Sequence, residues 1–119
     1  MKLAKLTPML WVKDVSATID YYSNVLGFAK AGMLENGGWG SVVRDNVELM
    51  FTSFFEAKAK GEQFPGTFYL YTNDIDAWWE HLKEKAEVFY PIENFEYGMR
   101  EFAIKDCNGF IIQFGKEIA

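Results

Sequence analysis

Histidine, cysteine and proline are almost missing from this chain, with one, one and three residues among 119. With His81 as the sole histidine, a Ser-His-Asp or Cys-His catalytic pair has almost no material to form from. His81 itself, between Glu80 and Leu82 on a helix-like stretch, reads as a solvated side chain. The single cysteine, Cys107, forms no internal disulfide, which predicts a reducing, cytoplasmic setting. No histidine or basic pair adjoins it, so its thiol reads as inert. Sustained apolar runs are also lacking, so neither a signal peptide nor a membrane span is expected. Basic residues are outnumbered, 12 against 17 acidic ones, for a net charge of −5. That balance argues against a nucleic-acid backbone as partner and is compatible with a cationic ligand. The Gly37-Gly38 pair lacks the spacing and following helix of a phosphate loop and reads as a turn.

What the chain has is repetition. Leu10-Trp11-Val12-Lys13-Asp14-Val15 is answered by Leu70-Tyr71-Thr72-Asn73-Asp74-Ile75, with the two aspartates 60 positions apart. Ser41-Val42-Val43-Arg44-Asp45 is answered by Phe102-Ala103-Ile104-Lys105-Asp106, at an offset of 61. Two elements recurring at nearly one offset indicate a duplicated unit. At this length the chain is one domain, 1–119, burying roughly two-thirds of its unfolded surface. Module one is expected over about 1–57, a polar linker over about 58–66 and module two over about 67–119.

Periodicity predicts strands at 6–12, 29–34, 39–44 and 47–53, with a helix at 16–26 capped by Asp14 or Ser16 and stopped at Gly27. The second module repeats the order, with strands at 67–72, 87–90, 99–104 and 110–114 and a helix at 75–85. On that helix Ile75, Trp78 and Leu82 share one face. A tandem Trp78-Trp79 cannot bury both rings on a single face, so one is expected at an interface. Phe28, Phe51, Phe68 and Phe114 are expected in the core. The fold class is therefore α+β, two tandem β-α-β-β-β modules forming half-open curved sheets around a groove.

Thr7-Pro8-Met9-Leu10-Trp11-Val12-Lys13-Asp14-Val15, then Tyr21-Tyr22 and Leu26-Gly27-Phe28, resembles the opening of a vicinal oxygen chelate module. That superfamily holds glyoxalases, extradiol dioxygenases and the fosfomycin- and bleomycin-resistance proteins. Trp39-Gly40-Ser41-Val42-Val43-Arg44-Asp45 and the stretch from Tyr97 to Gly109 resemble the bleomycin-resistance branch in particular.

The resemblance implies where a metal would be held. The superfamily's enzymes carry a His or Gln seven residues before the aspartate that ends the first strand, and a Glu seven residues after the aspartate of the closing turn. Those positions here are Thr7 and Gln113, and the second module's first-strand position is Thr67. Hydroxyls and a carboxamide are poor ligands for a divalent cation. Glu48 is the only carboxylate on the remaining candidate strand. No metal, no cofactor and no catalytic residue are expected.

The resemblance further places Trp39, Tyr69 and Tyr97 at cleft-aromatic positions, where rings stack on flat or cationic ligands. Glu48 and Gln113 join them as candidate ligand contacts, and Glu35, Glu93 and Glu96 are further acids available to a groove. Pro8, which removes a ladder donor at a strand start, stands where bleomycin-resistance proteins pass an N-terminal arm to a second subunit. A homodimer is expected on that basis. The function these features imply is a metal-free small-molecule binding protein, sequestering a cationic or planar aromatic compound in a dimer groove. The alternatives are a metal-dependent glyoxalase-type lyase, isomerase or thiol transferase, and a stand-alone interaction module.

Overall fold

The computed structural model describes residues 1–55 and 66–119. Two compact units divide the chain, Met1–Gln63 and Phe64–Ala119. The expected linker at 58–66 lies, apart from Gly66, outside the described residues.

The first unit runs β1 (Met9–Trp11), α1 (Val15–Asn24), β2 (Ala29–Met33), β3 (Trp39–Arg44) and β4 (Val47–Thr52). Its four-stranded sheet has the order β1-β4-β3-β2, with β1 parallel to β4 and the other neighbours antiparallel. Asp14 caps α1 by accepting the Ala17 N–H at 2.9 Å, a contact worth about 1 kcal/mol. At the far end Arg44 Nη1 donates to the carbonyls of Leu26 and Gly27, at 3.1 and 3.2 Å. Ile19 and Tyr22 of the helix are buried with Phe28, Val42 and Phe51. Gly40 is what lets the helix approach, since a Cβ there would stand 2.5 Å from Ile19 Cδ1.

The second unit repeats this order with β5 (Thr67–Tyr71), α2 (Ile75–Leu82), β6 (Glu87–Asn94), β7 (Met99–Lys105) and β8 (Ile111–Glu117). Its sheet order, β5-β8-β7-β6, is that of the first unit, again with the first strand parallel to the last. The duplication read from the two aspartate motifs is thus a duplication of topology. The fold is α+β, two β-α-β-β-β modules with open sheets.

Strand ends depart from expectation for local reasons. β1 begins at Met9 rather than at residue 6, because Pro8 brings no N–H to the ladder. β6 continues through Pro91 to Asn94, well past residue 90. It is an edge strand, where a missing donor is tolerated, and register shifts on either side of Tyr90 absorb the proline.

Both tryptophans of α2 touch the sheet yet stay half-exposed, so neither ring is wholly buried, in line with the limit on burying a doubled tryptophan on one face. Trp78 lies 5.2 Å from Phe114 and Trp79 5.2 Å from Phe102, ring centre to ring centre. Phe102 and Phe114 themselves stack at 4.9 Å, so the pair of indoles straddles a two-ring platform. Phe28, Phe51 and Phe114 are buried as expected, whereas Phe68 is only half-buried.

Candidate functional site

Alternation along β7 and β8 turns Phe102, Ile104, Ile112 and Phe114 toward α2, and therefore turns Glu101, Ala103, Gln113 and Gly115 to the opposite face. On that face Glu101 is 1 % exposed. Its Oε1 accepts the Tyr69 hydroxyl at 2.7 Å, and its Oε2 accepts the Tyr90 hydroxyl and, at 3.4 Å, Gln113 Nε2. The Tyr97 hydroxyl lies near enough to favour the charged form of this carboxyl. Gln113 Nε2 also donates to Tyr90 Oη at 2.8 Å, and Thr67 Oγ1 donates to Gln113 Oε1 at 2.5 Å. A chain of neutral hydrogen bonds thus runs from β5 through β8 to the carboxylate.

Register explains why these groups meet. Tyr69 pairs with Gln113, Glu101 with Gly115, and Glu93 with Glu101 across neighbouring strands. Gly115 is required here, because a Cβ would fall 2.0 Å from Tyr69 Oη and block the phenol from reaching Glu101. The β6–β7 turn adds two rings. Gly98, at φ +87°, closes a turn in which Phe95 and Met99 bond, and Phe95 and Tyr97 stack at 5.3 Å. Tyr90 stands across Phe95 at 83°. Tyr90, Glu93, Phe95, Tyr97, Glu101 and Gln113 line a pocket of about 380 Å³, within the size range of small-molecule sites.

The electrostatics of the floor are unusual for a buried acid. Burial pushes the Glu101 carboxyl up, but hydrogen bonds from Tyr90, Tyr69, Tyr97 and Gln113 outweigh it and hold the group below its ordinary value of 4.5. Burial and the same carboxylate push the phenols of Tyr69 and Tyr90 up, so both stay neutral donors. Among the described residues no lysine or arginine forms an ion pair with Glu101. Arg100, its neighbour in sequence, binds Asp76 at 2.7 Å and Asn94 at 2.9 Å instead.

Tyr69, Tyr97 and Gln113, three of the residues singled out in the sequence, therefore come together around one carboxylate. Trp39 and Glu48 belong to the first unit. A Cβ on Gly32 would lie 3.2 Å from the Trp39 ring, and Glu48 pairs with Lys5 at 2.5 Å. The Pro8 carbonyl accepts the Met50 N–H at 2.9 Å, tying the start of β1 into its own sheet. His81 and Cys107 are exposed. Sequence reasoning missed Glu101, Tyr90 and Phe95. A signal existed for Glu101: a lone acid inside Met99-Arg100-Glu101-Phe102-Ala103-Ile104, on a strand with little exposed surface.

A divalent metal would have to be held by this donor set. Thr67 and Gln113, at the second module's ligand positions, are neutral and spend their polar atoms on each other and on Tyr90. Among the described residues no three His, Cys, Asp or Glu side chains gather closely enough to hold an ion. The set does not fit a divalent metal.

Comparison with known proteins places the fold. The family described as Glyoxalase/Bleomycin resistance protein/Dioxygenase superfamily matches residues 4–114. The chain belongs to that superfamily. No curated protein sequence matches it. Among solved structures it is similar to TnmS3, an antibiotic binding protein from Streptomyces sp. CB03234, at 23 % identity and TM-score 0.80 over 98 % of both chains. The bleomycin-binding protein of Streptomyces verticillus, complexed with copper(II)-bleomycin, is 22 % identical with TM-score 0.70 over 96 % of both chains. A lactoylglutathione lyase from Agrobacterium tumefaciens is 18 % identical, with TM-score 0.72 over 95 % of this chain and 92 % of that one. Each likeness is one of fold.

Proposed function

We propose that this is a metal-independent small-molecule binding protein, holding a cationic or planar aromatic compound against the pocket floored by Glu101. The observation that carries the reading is a buried carboxylate held by neutral donors beneath aromatic side chains. Binding proteins for antibiotics among the structural relatives support it. The lyase-type alternative needs a metal, and the hydroxyl and carboxamide at Thr67 and Gln113 speak against one. Within this proposal the protein works as a cytoplasmic homodimer. Its N-terminal segment, with Leu3 and Leu6 strongly exposed ahead of Pro8, is the arm that covers a partner. Trp39 and Glu48 are proposed as further ligand contacts.

A thermal-shift screen of bleomycins, planar antibiotics and glutathione adducts, run alongside elemental analysis for bound metal, tests the reading. A compound that raises Tm in the wild type, but not in Tyr97→Ala, supports it. One tightly held Zn, Ni, Mn or Fe per chain contradicts it. Trp39→Ala separates the two roles of that ring, since loss of binding with an unchanged melt marks a contact and an early melt marks packing.

A further inference from the structure

The reading above leaves the polarity of the ligand open, and the direction of the hydrogen bonds at the floor narrows it. Thr67 spends its hydroxyl proton on Gln113 Oε1. Gln113 spends its amide protons on Tyr90 and Glu101, and the hydroxyls of Tyr69 and Tyr90 both donate to Glu101. Every donor of this relay therefore points inward, toward the buried carboxylate. What its hydroxyl oxygens still offer is lone pairs, since each has one proton but two acceptor sites. A ligand carboxylate or phosphate would meet acceptors and negative charge, and both repel it.

Glu93 supplies an open acceptor at the same place. It is exposed, lines the pocket and pairs across the strands with Glu101. Among the described residues no basic side chain forms an ion pair with either acid. Like charges directly opposite on neighbouring strands are destabilising, and a cation beside them offsets that cost. A hydrogen bond from a charged donor to a carboxylate is also roughly twice as strong as a neutral one. Phe95 and Tyr97 line the pocket with Glu93 and lie nearly parallel, at 12°. Tyr97 is 62 % exposed, so part of an aromatic ring is open beside the two carboxylates, and its face attracts a cation as well.

On these grounds, which rest on the binding reading above, we infer that the pocket takes a cationic head group bearing N–H donors, an ammonium, amidinium or guanidinium, and rejects anions. Glu93 is its hydrogen-bonding partner and Tyr97 its aromatic contact. Glu101, already bonded by Tyr69, Tyr90 and Gln113, acts as a fixed countercharge.

Benzamidine (a cation at neutral pH), benzamide and benzoate share one flat shape and differ in charge, and isothermal titration with them at low salt tests this. The benzamidinium ion is expected to bind about five-fold or more tightly than benzamide, and benzoate to show no binding up to about 50 mM. Glu93→Gln should weaken the benzamidinium ion about two- to five-fold without moving Tm. Glu84→Gln, the same charge change at an exposed site just past α2, should leave its binding unchanged. Tyr97→Leu should weaken it several-fold with circular dichroism unchanged. Benzoate or benzamide binding as tightly as the benzamidinium ion overturns the inference. So does benzamidinium binding that Glu93→Gln leaves intact, or none up to about 50 mM. If benzamide matches the cation and Tyr97→Leu abolishes both, the cation inference falls and the binding reading stands. If none of the three binds and no compound of the thermal-shift screen raises Tm, both fall.

Discussion

Tyr90→Phe deletes one oxygen from the middle of the relay and leaves the ring in place. That oxygen donates to Glu101 and accepts from Gln113. Hydrogen bonds to charged groups are worth roughly 1.5–3 kcal/mol, and the Gln113 amide is only half-buried, so water can take over as its acceptor. The expected loss at neutral pH is therefore ~2 kcal/mol, a shift of about 1 M in the urea midpoint. The cost should depend on the charge of Glu101. Because its folded value lies below 4.5, its contribution to stability is fully present above that pH and is lost as pH falls through the folded value. The groups facing it, Tyr69, Tyr90, Tyr97 and Gln113, do not change charge in that range, and Glu93 across the strand is the one other acid of the pocket. Urea melts should thus show the Tyr90→Phe penalty shrinking in acid. The same penalty, measured in a Glu101→Gln background at pH 7, should fall to about 1 kcal/mol or less. An undiminished penalty in both settings would show that Tyr90 contributes packing alone.

Gly115→Ala should push the Tyr69 phenol off Glu101, and carboxyl NMR should then report a higher Glu101 titration, with a stability loss of about 1–3 kcal/mol. Asp14→Ala should cost about 1 kcal/mol by thermal melting. Asp74→Ala, at the repeat's equivalent position, should cost far less, because no side-chain cap bond is made there. Removal of residues 1–8 should shift light scattering from dimer toward monomer at tens of micromolar, and unchanged assembly would end the role given to the arm.

The duplication was legible because it is carried by local signals: an aspartate at each strand-to-helix step and a hydrophobic period that switches between them. β3 is found at Trp39–Arg44, where alternation and the flanking turn residues put it. The extension of β6 was not legible, because Pro91 reads as a stop unless the strand is known to be an edge. For Trp78 and Trp79 the incomplete burial was legible, but not which phenylalanine each ring would meet. At the site, the resemblance led to Gln113 through the superfamily's ligand spacing, and to Tyr69 and Tyr97 as positions of cleft aromatics. Glu101 stayed hidden for a different reason. Its meaning comes from three tyrosines on β5, β6 and the β6–β7 turn, and only strand register brings them together.

The central claim is that ligand is held at the Glu101 pocket of the second unit. Aromatic NMR of tyrosine-labelled protein, titrated with the strongest hit of the thermal-shift screen, tests it most directly. The account predicts saturable shifts at Tyr90 and Tyr97 that disappear in Glu101→Gln, with Tyr21 and Tyr22 of the first unit's helix left unmoved. Saturable shifts at other tyrosines, with Tyr90 and Tyr97 unmoved, would contradict it.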